Sequence, residues 1–259
     1  MTQGIIAEIQ RLFPEEKGKV IAIVGAGGKT SLMRYLATKL AGRVVCTTST
    51  KLLAGESNFF DQHLIWKTGK SVVLELTAEV KSVLITNAAI ETSSGMKLEG
   101  LTQAQLAILK QTCEERQLSL IIEADGAKKR PLKAPEAWEP PIPEFTDLVI
   151  YVLGLEGLLK PLSEKTVFRS QLFAKLTGLE IGEPVDLSAI LDYLKHSSGG
   201  QKGIPGRAKQ IVVFNLAGVS QPDLVDHKLI SSELKRVYDS IVYAEIRYGK
   251  VFEIPDSGG

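Results

Sequence analysis

A chain of 259 residues, 44% of them hydrophobic, is long enough for one large α/β domain or two small ones and apolar enough to build a proper core. Its 31 basic and 30 acidic residues leave a net charge of +1, so no overall field draws in nucleic acid or an acidic membrane surface. Cys46 and Cys113 stand alone, without a second Cys or a His at ligand spacing, which argues against a disulfide framework or a zinc site; with no signal-like start and no long apolar segment, a cytoplasmic protein is expected.

Residues Ile5 to Phe13 carry apolar side chains at helical spacing and end at Pro14, predicting a short helix beside the first strand. The apolar run Val20 to Val24 then suits a strand buried on both faces. It enters Gly25-Ala26-Gly27-Gly28-Lys29-Thr30-Ser31, and Leu32, Leu36 and Leu40 form one helical stripe behind. Glycines at a helix N-terminus let backbone N–H groups converge on an oxyanion cluster, with the helix dipole adding positive potential. Residues Gly25 to Ser31 are therefore the expected cofactor-binding loop, with Lys29 reaching terminal phosphates and Thr30 holding a bridging Mg2+. The loop is shorter than the standard motif, because Ile23 stands where the first glycine would fall, and in this it resembles the ATP loop of the Mur ligases.

Arg43 to Thr48 reads as a second parallel strand completing a right-handed β-α-β unit. It ends in Thr47-Thr48-Ser49-Thr50, hydroxyls at the carboxyl end of a strand neighbouring the loop that would either hold magnesium or its water, with Thr48 the candidate ligand, or satisfy backbone groups of the loop. From about Leu52 to Leu101, short β-like pieces at 64–66, 71–74 and 83–86 suggest a β-rich insertion or lid. Thr102 is expected to cap a helix running to about Arg116, burying Leu106, Ile108 and Leu109.

Leu118 to Gly126 is an apolar strand that delivers Glu123 and Asp125 at its carboxyl end, the Walker-B arrangement for completing a magnesium shell or orienting a water. Lys29, Glu123 and Asp125 are accordingly the catalytic candidates, and both carboxylates are metal candidates with Thr30 and Thr48. Lys128, Lys129, Arg130 and Lys133 follow in a proline-rich loop, where they would hold an anionic substrate or form an exposed basic run. Further strands are expected at 147–155, 210–215, 241–246 and 251–254, and helices at 170–176, 187–194 and about 222–238. His63, His196 and His227 are isolated and receive no role. The whole reads as a single α/β domain over 1–259, with a doubly wound, mostly parallel, P-loop NTPase-like sheet.

The loop Gly25–Thr30, the hydroxyls Thr47–Thr50, and Glu123-Ala124-Asp125-Gly126 followed by Pro131-Leu132-Lys133-Ala134-Pro135 together resemble the YqeC family, the selenium-dependent hydroxylase accessory proteins; the similarity continues through Glu139-Pro140 and Lys160-Pro161-Leu162 to Thr166-Val167-Phe168-Arg169. The resemblance implies a nucleotide-binding accessory protein in the maturation of selenium-dependent molybdenum hydroxylases or their cofactor, with Mg2+ and ATP or GTP, and adds Arg169 to the substrate set. A ligase or kinase for a small acidic substrate and a nucleotide-gated chaperone of the hydroxylase are the alternatives. Asn215 ends the late strand and is the nucleobase candidate, but Leu216 and Gly218 stand where guanine-selective proteins carry lysine and aspartate. That departure predicts ATP bound at least as well as GTP, unless Asp223 or Asp226 supplies the carboxylate.

Overall fold

The computed structural model describes residues 4–14, 18–66, 80–93, 95–219, 225–247 and 250–253. In chain order the elements are α1 (Ile5–Leu12), β1 (Val20–Gly25), α2 (Lys29–Lys39), β2 (Val44–Thr48), β3 (Lys51–Leu53), β4 (Gln62–Ile65), β5 (Ser82–Thr86), β6 (Ala89–Thr92), β7 (Gly95–Glu99), α3 (Gln103–Glu115) and β8 (Ser119–Glu123). There follow β9 (Leu132–Lys133), β10 (Leu148–Gly154), β11 (Val167–Phe168), α4 (Ser170–Thr177), α5 (Leu187–Lys195), β12 (Lys209–Asn215), α6 (His227–Leu234), β13 (Ser240–Arg247) and β14 (Lys250–Glu253).

Nine strands form the central sheet in the order β14-β13-β12-β10-β1-β8-β2-β5-β4, and only β14 runs antiparallel to its neighbour. Every residue of β1, β2, β5, β8 and β10 is buried, the reason these segments read as continuous apolar runs. Alternation along β1 divides the core. Ile21 and Ile23 pack with Ile5, Ile9, Leu32 and Leu36 of α1 and α2, whereas Ala22 and Val24 face the layer that holds α3 to α6.

β8 lies between β1 and β2, so the strand bearing Glu123 is the direct neighbour of the strand that enters the glycine loop, and the hydroxyl-rich end of β2 is one strand removed. After β8 the chain passes β1 and continues on its other side with β10 and β12. β1 is therefore the point from which successive connections diverge, where open α/β sheets form a crevice at the carboxyl ends of their strands.

The stretch read as an insertion divides in two. Among its described residues β4 and β5 extend the central sheet, with β5 fully buried, and β6 and β7 form a separate antiparallel sheet with β3. The strand expected at 71–74 and the start of the helix expected at 222 fall outside the described residues. α3 has the expected Thr102 cap, reciprocated by the Gln105 side chain, but it buries Leu106, Leu109 and Cys113 and leaves Ile108 56% exposed. Ile108 is two positions from Leu106, too far around the helix to share its stripe. No helix among the described residues is long and apolar enough to cross a membrane.

Gly25 sits at φ +92, and a Cβ there would lie 2.2 Å from the Val152 carbonyl oxygen. Gly25→Ala should therefore lose about 2–4 kcal/mol, combining left-handed strain with overpacking. A denaturant midpoint equal to the parent's would refute this account of the turn.

Candidate functional site

The turn after β1 is fastened from below. The Ala26 amide donates to Val152 at 2.8 Å and the Gly25 amide to Asp125 Oδ2 at 3.2 Å. Gly27, at φ +77, lies so close to Gly154 that a Cβ would fall 2.6 Å from its Cα. Gly28 is the N-cap of α2, so Lys29, Thr30 and Ser31 form a first turn whose N–H groups have no partner within the helix. A glycine cradle opening onto free amides at the start of a helix fits an anionic group.

Glu123 and Asp125 both reach this turn but meet different atoms. The Thr30 hydroxyl donates to Glu123 Oε2 at 2.8 Å, while Lys29 Nζ lies 3.9 Å from Glu123 Oε1. Asp125 turns under the loop, where Oδ1 is 3.2 Å from Lys29 Nζ and Oδ2 is 2.8 Å from Lys133 Nζ. Lys29 also donates to the Gly25 carbonyl at 2.8 Å. Glu123 lines the cleft with Thr30, a pairing suited to a hard cation that keeps most of its ligands from water and phosphate. Among the described residues no group of three or more His, Cys, Asp or Glu could hold a metal without such help. Burial pushes the Glu123 carboxyl above the ordinary range, although Lys29 and Thr30 pull it down.

Asp125 is an inner rung of a ladder of alternating charges that starts with Glu123 and Lys29. Lys133, 3% exposed, joins it to Glu139 at 2.9 Å and donates to the Gly126 carbonyl. Glu139 in turn takes a forked pair from Arg169 at 2.5 and 3.1 Å, and Arg169 reaches Glu136 at 3.5 Å. Burial would raise Glu139, but the Arg169 hydrogen bonds and the Lys133 charge outweigh it and hold the carboxyl below its ordinary value. The pairing of β9 with β11 brings Lys133 beside Phe168 and so closes the ladder.

Above this floor opens a cleft of about 940 Å³, near the upper end of the range for ligand pockets. Lys128, Lys129 and Arg130 line one wall, and Lys51 and Lys97 of the small antiparallel sheet another. Lys128 and Lys129 both have left-handed backbones, at φ 47 and 59, which costs non-glycine residues energy and gathers at ligand sites. Lys128 lies over the Phe168 ring at 4.9 Å, and Arg130 Nε donates to the Glu164 carbonyl.

Three candidates sit elsewhere than the sequence suggests. Lys133 is not a cleft residue, since its ammonium is consumed by two carboxylates and a carbonyl. The Thr48 hydroxyl donates to the Glu123 carbonyl at 2.9 Å and accepts from the Thr50 amide at 3.0 Å, which ties β2 to β8 and takes up the groups a metal would use. Asn215 clamps the loop: Nδ2 donates to the Gly27 carbonyl at 2.6 Å, and Oδ1 accepts from the Ala217 and Ile246 amides. Arg169 lines the cleft but is bound to Glu139. The sequence assigns a role neither to Glu139, which enters only through the resemblance at Glu139-Pro140, nor to the pair Lys51 and Lys97.

A carboxyl raised on folding contributes stability that is complete below its unfolded pKa and lost as pH rises through the folded value. Metal-free Glu123→Gln should thus melt at least as high as the parent near about pH 8, with the gap closing toward about pH 4; a variant less stable at the higher pH would overturn the assignment. Lys133→Ala leaves Asp125 and Glu139 without their shared cation and should cost about 3–5 kcal/mol in urea unfolding. Lys128→Ala, on the exposed wall, should stay within about 0.5 kcal/mol. Equal losses would contradict the separation of floor from wall.

The model of the family described as YqeC protein matches residues 21–171, which spans the loop, both carboxylates, the ladder and Arg169. The chain is also 30% identical over 206 residues to the "Uncharacterized protein YqeC" of Escherichia coli (strain K12), covering 78% of this chain and 77% of the relative. No solved structure matches. On the family match and this coverage, the chain belongs to the YqeC family.

Proposed function

We propose that this protein binds a magnesium nucleoside triphosphate in the crevice beyond β1 and β8 and uses its turnover in the maturation of selenium-dependent molybdenum hydroxylases or their cofactor. The observation that carries the nucleotide reading is the meeting of a glycine turn, a helix N-terminus, Lys29 and the Thr30–Glu123 pair at adjacent strand ends. Magnesium bound with the triphosphate would neutralise charge building on the transferring phosphoryl group. Thr30 and Glu123 are the residues to hold it, the loop amides and Lys29 the groups to bind the phosphates, and Asp125 positions Lys29 and the Gly25 amide from beneath. The hydroxylase pathway rests on the family resemblance, and co-purification with a molybdenum hydroxylase in the presence of nucleotide tests it.

A second reading, an ATP-dependent ligase or kinase for a small acidic substrate, is favoured by the basic wall. Among the described residues Lys51, Lys97 and Lys129 form no ion pair, so cationic charge remains beyond what the ladder neutralises. Turnover that requires an added acidic acceptor would select this reading over simple hydrolysis.

Calorimetric titration of the metal-loaded protein with ATP and GTP should show binding, and Lys29→Ala should weaken it by about 1–3 kcal/mol, the range for hydrogen bonds to charged groups. Glu123→Gln should lower turnover more than affinity. A parent protein that binds neither nucleotide overturns the proposal.

A further inference from the structure

Four carboxylates line the cleft, and three of them are already engaged. Glu123 accepts from Thr30, Glu139 from Lys133 and Arg169, and Glu56 pairs with Arg34 at 3.2 Å. The fourth, Glu156, is half buried and has no hydrogen bond or ion pair among the described residues.

Its backbone is held firmly. Glu156 occupies the short turn Leu155–Gly157 that ends β10, between two buried neighbours. The Gly154 amide just before it donates to Pro131 at 3.0 Å, and a Cβ on Gly157 would meet the Leu132 side chain at 3.0 Å. The carboxylate is thus delivered by a rigid strand end beside the phosphate loop.

Across from it is Gly218, at φ +81, where a Cβ would lie 2.9 Å from Glu156 Oε2. The Glu156 carboxylate fills the space that an acidic side chain at position 218 would otherwise occupy. Asn215, three residues earlier, joins this turn to the loop through Gly27 and to β13 through Ile246. Asp226 is unavailable for the same task, because it caps α6 by accepting from the Leu229 amide at 2.9 Å, and Asp223 lies outside the described residues.

Resting on the nucleotide reading above, we propose that Glu156 reads the nucleobase and selects guanine. Guanine presents two adjacent donors, N1–H and the exocyclic amino group, which the two oxygens of one carboxylate accept together. Adenine presents a lone pair at N1 and no donor at C2, so its edge repels the carboxylate and leaves a partly buried charge unpaired. The acceptor missing at Gly218 is supplied from β10, and this reverses the preference for ATP that the late strand alone suggests.

The test is calorimetric titration of the full chain with Mg2+ and GTP, ATP, ITP or XTP. The parent should bind GTP at least about tenfold more tightly than ATP, and ITP, which lacks the amino donor, should fall between them. In Glu156→Gln the GTP to ATP ratio should collapse by about tenfold or more, and XTP should gain, because a carboxamide keeps an acceptor for N1–H and adds a donor for the xanthine C2 carbonyl. The parent comparison of GTP with ITP needs no variant. Equal affinity for GTP, ITP and ATP, or a GTP preference that survives Glu156→Gln, overturns the assignment and leaves the nucleotide reading standing. Binding of none of the four nucleotides overturns both.

Discussion

Asp125 held between Lys29 and Lys133 is the constraint on which the rest of the site depends. All three side chains are buried, at 2%, 5% and 3% exposure, in a position where an isolated ion is unfavourable by several kcal/mol. The arrangement persists because the charges alternate, from Glu123 through Lys29, Asp125, Lys133 and Glu139 to Arg169. Each inner member has an opposite charge on both sides; the Gly25 amide and the Thr30 hydroxyl add hydrogen bonds to Asp125 Oδ2 and Glu123 Oε2, whereas Asp125 Oδ1 has the charge of Lys29 but no hydrogen bond. The glycine turn rests directly on this ladder, so the geometry of the loop and the integrity of the ion network are one structural fact.

The ladder also divides the charged residues by task. Those within it are neutralised by each other and form a floor, whereas the cations of the cleft walls, Lys51, Lys97 and Lys129, lack acidic partners among the described residues. A nearly neutral protein thereby concentrates positive potential in one cleft, where low-dielectric walls make it effective toward a polyanion. The family match ends at residue 171, just past Arg169, so its last matched stretch contains the far end of this network.

Much of this was legible in the chain because it is local. Apolar runs of β1, β8 and β10 announce strands buried on both faces, the glycine turn announces a helix N-terminus, and Thr102 announces a helix cap. Departures came where a local pattern had two outcomes. Ile108 fits a helical run but not its buried face, and Thr48 has a hydroxyl that serves backbone as readily as metal. Basic residues after the acidic strand look alike in sequence, yet Lys133 is buried in the ladder and Lys128 lies on the wall.

The α/β class, the glycine turn at a helix start and the two acidic residues ending a buried strand were readable in the chain, because strand period, glycine conformations and helix starts are set by neighbouring residues. The tertiary structure alone decided which groups meet. Strand order placed β8 against β1, Asn215 closes on Gly27 across 188 residues, and Arg169 finds Glu139 across 30. Such pairings follow from sheet register and from the need of every buried charge for a partner, and neither is written in the residues that flank them.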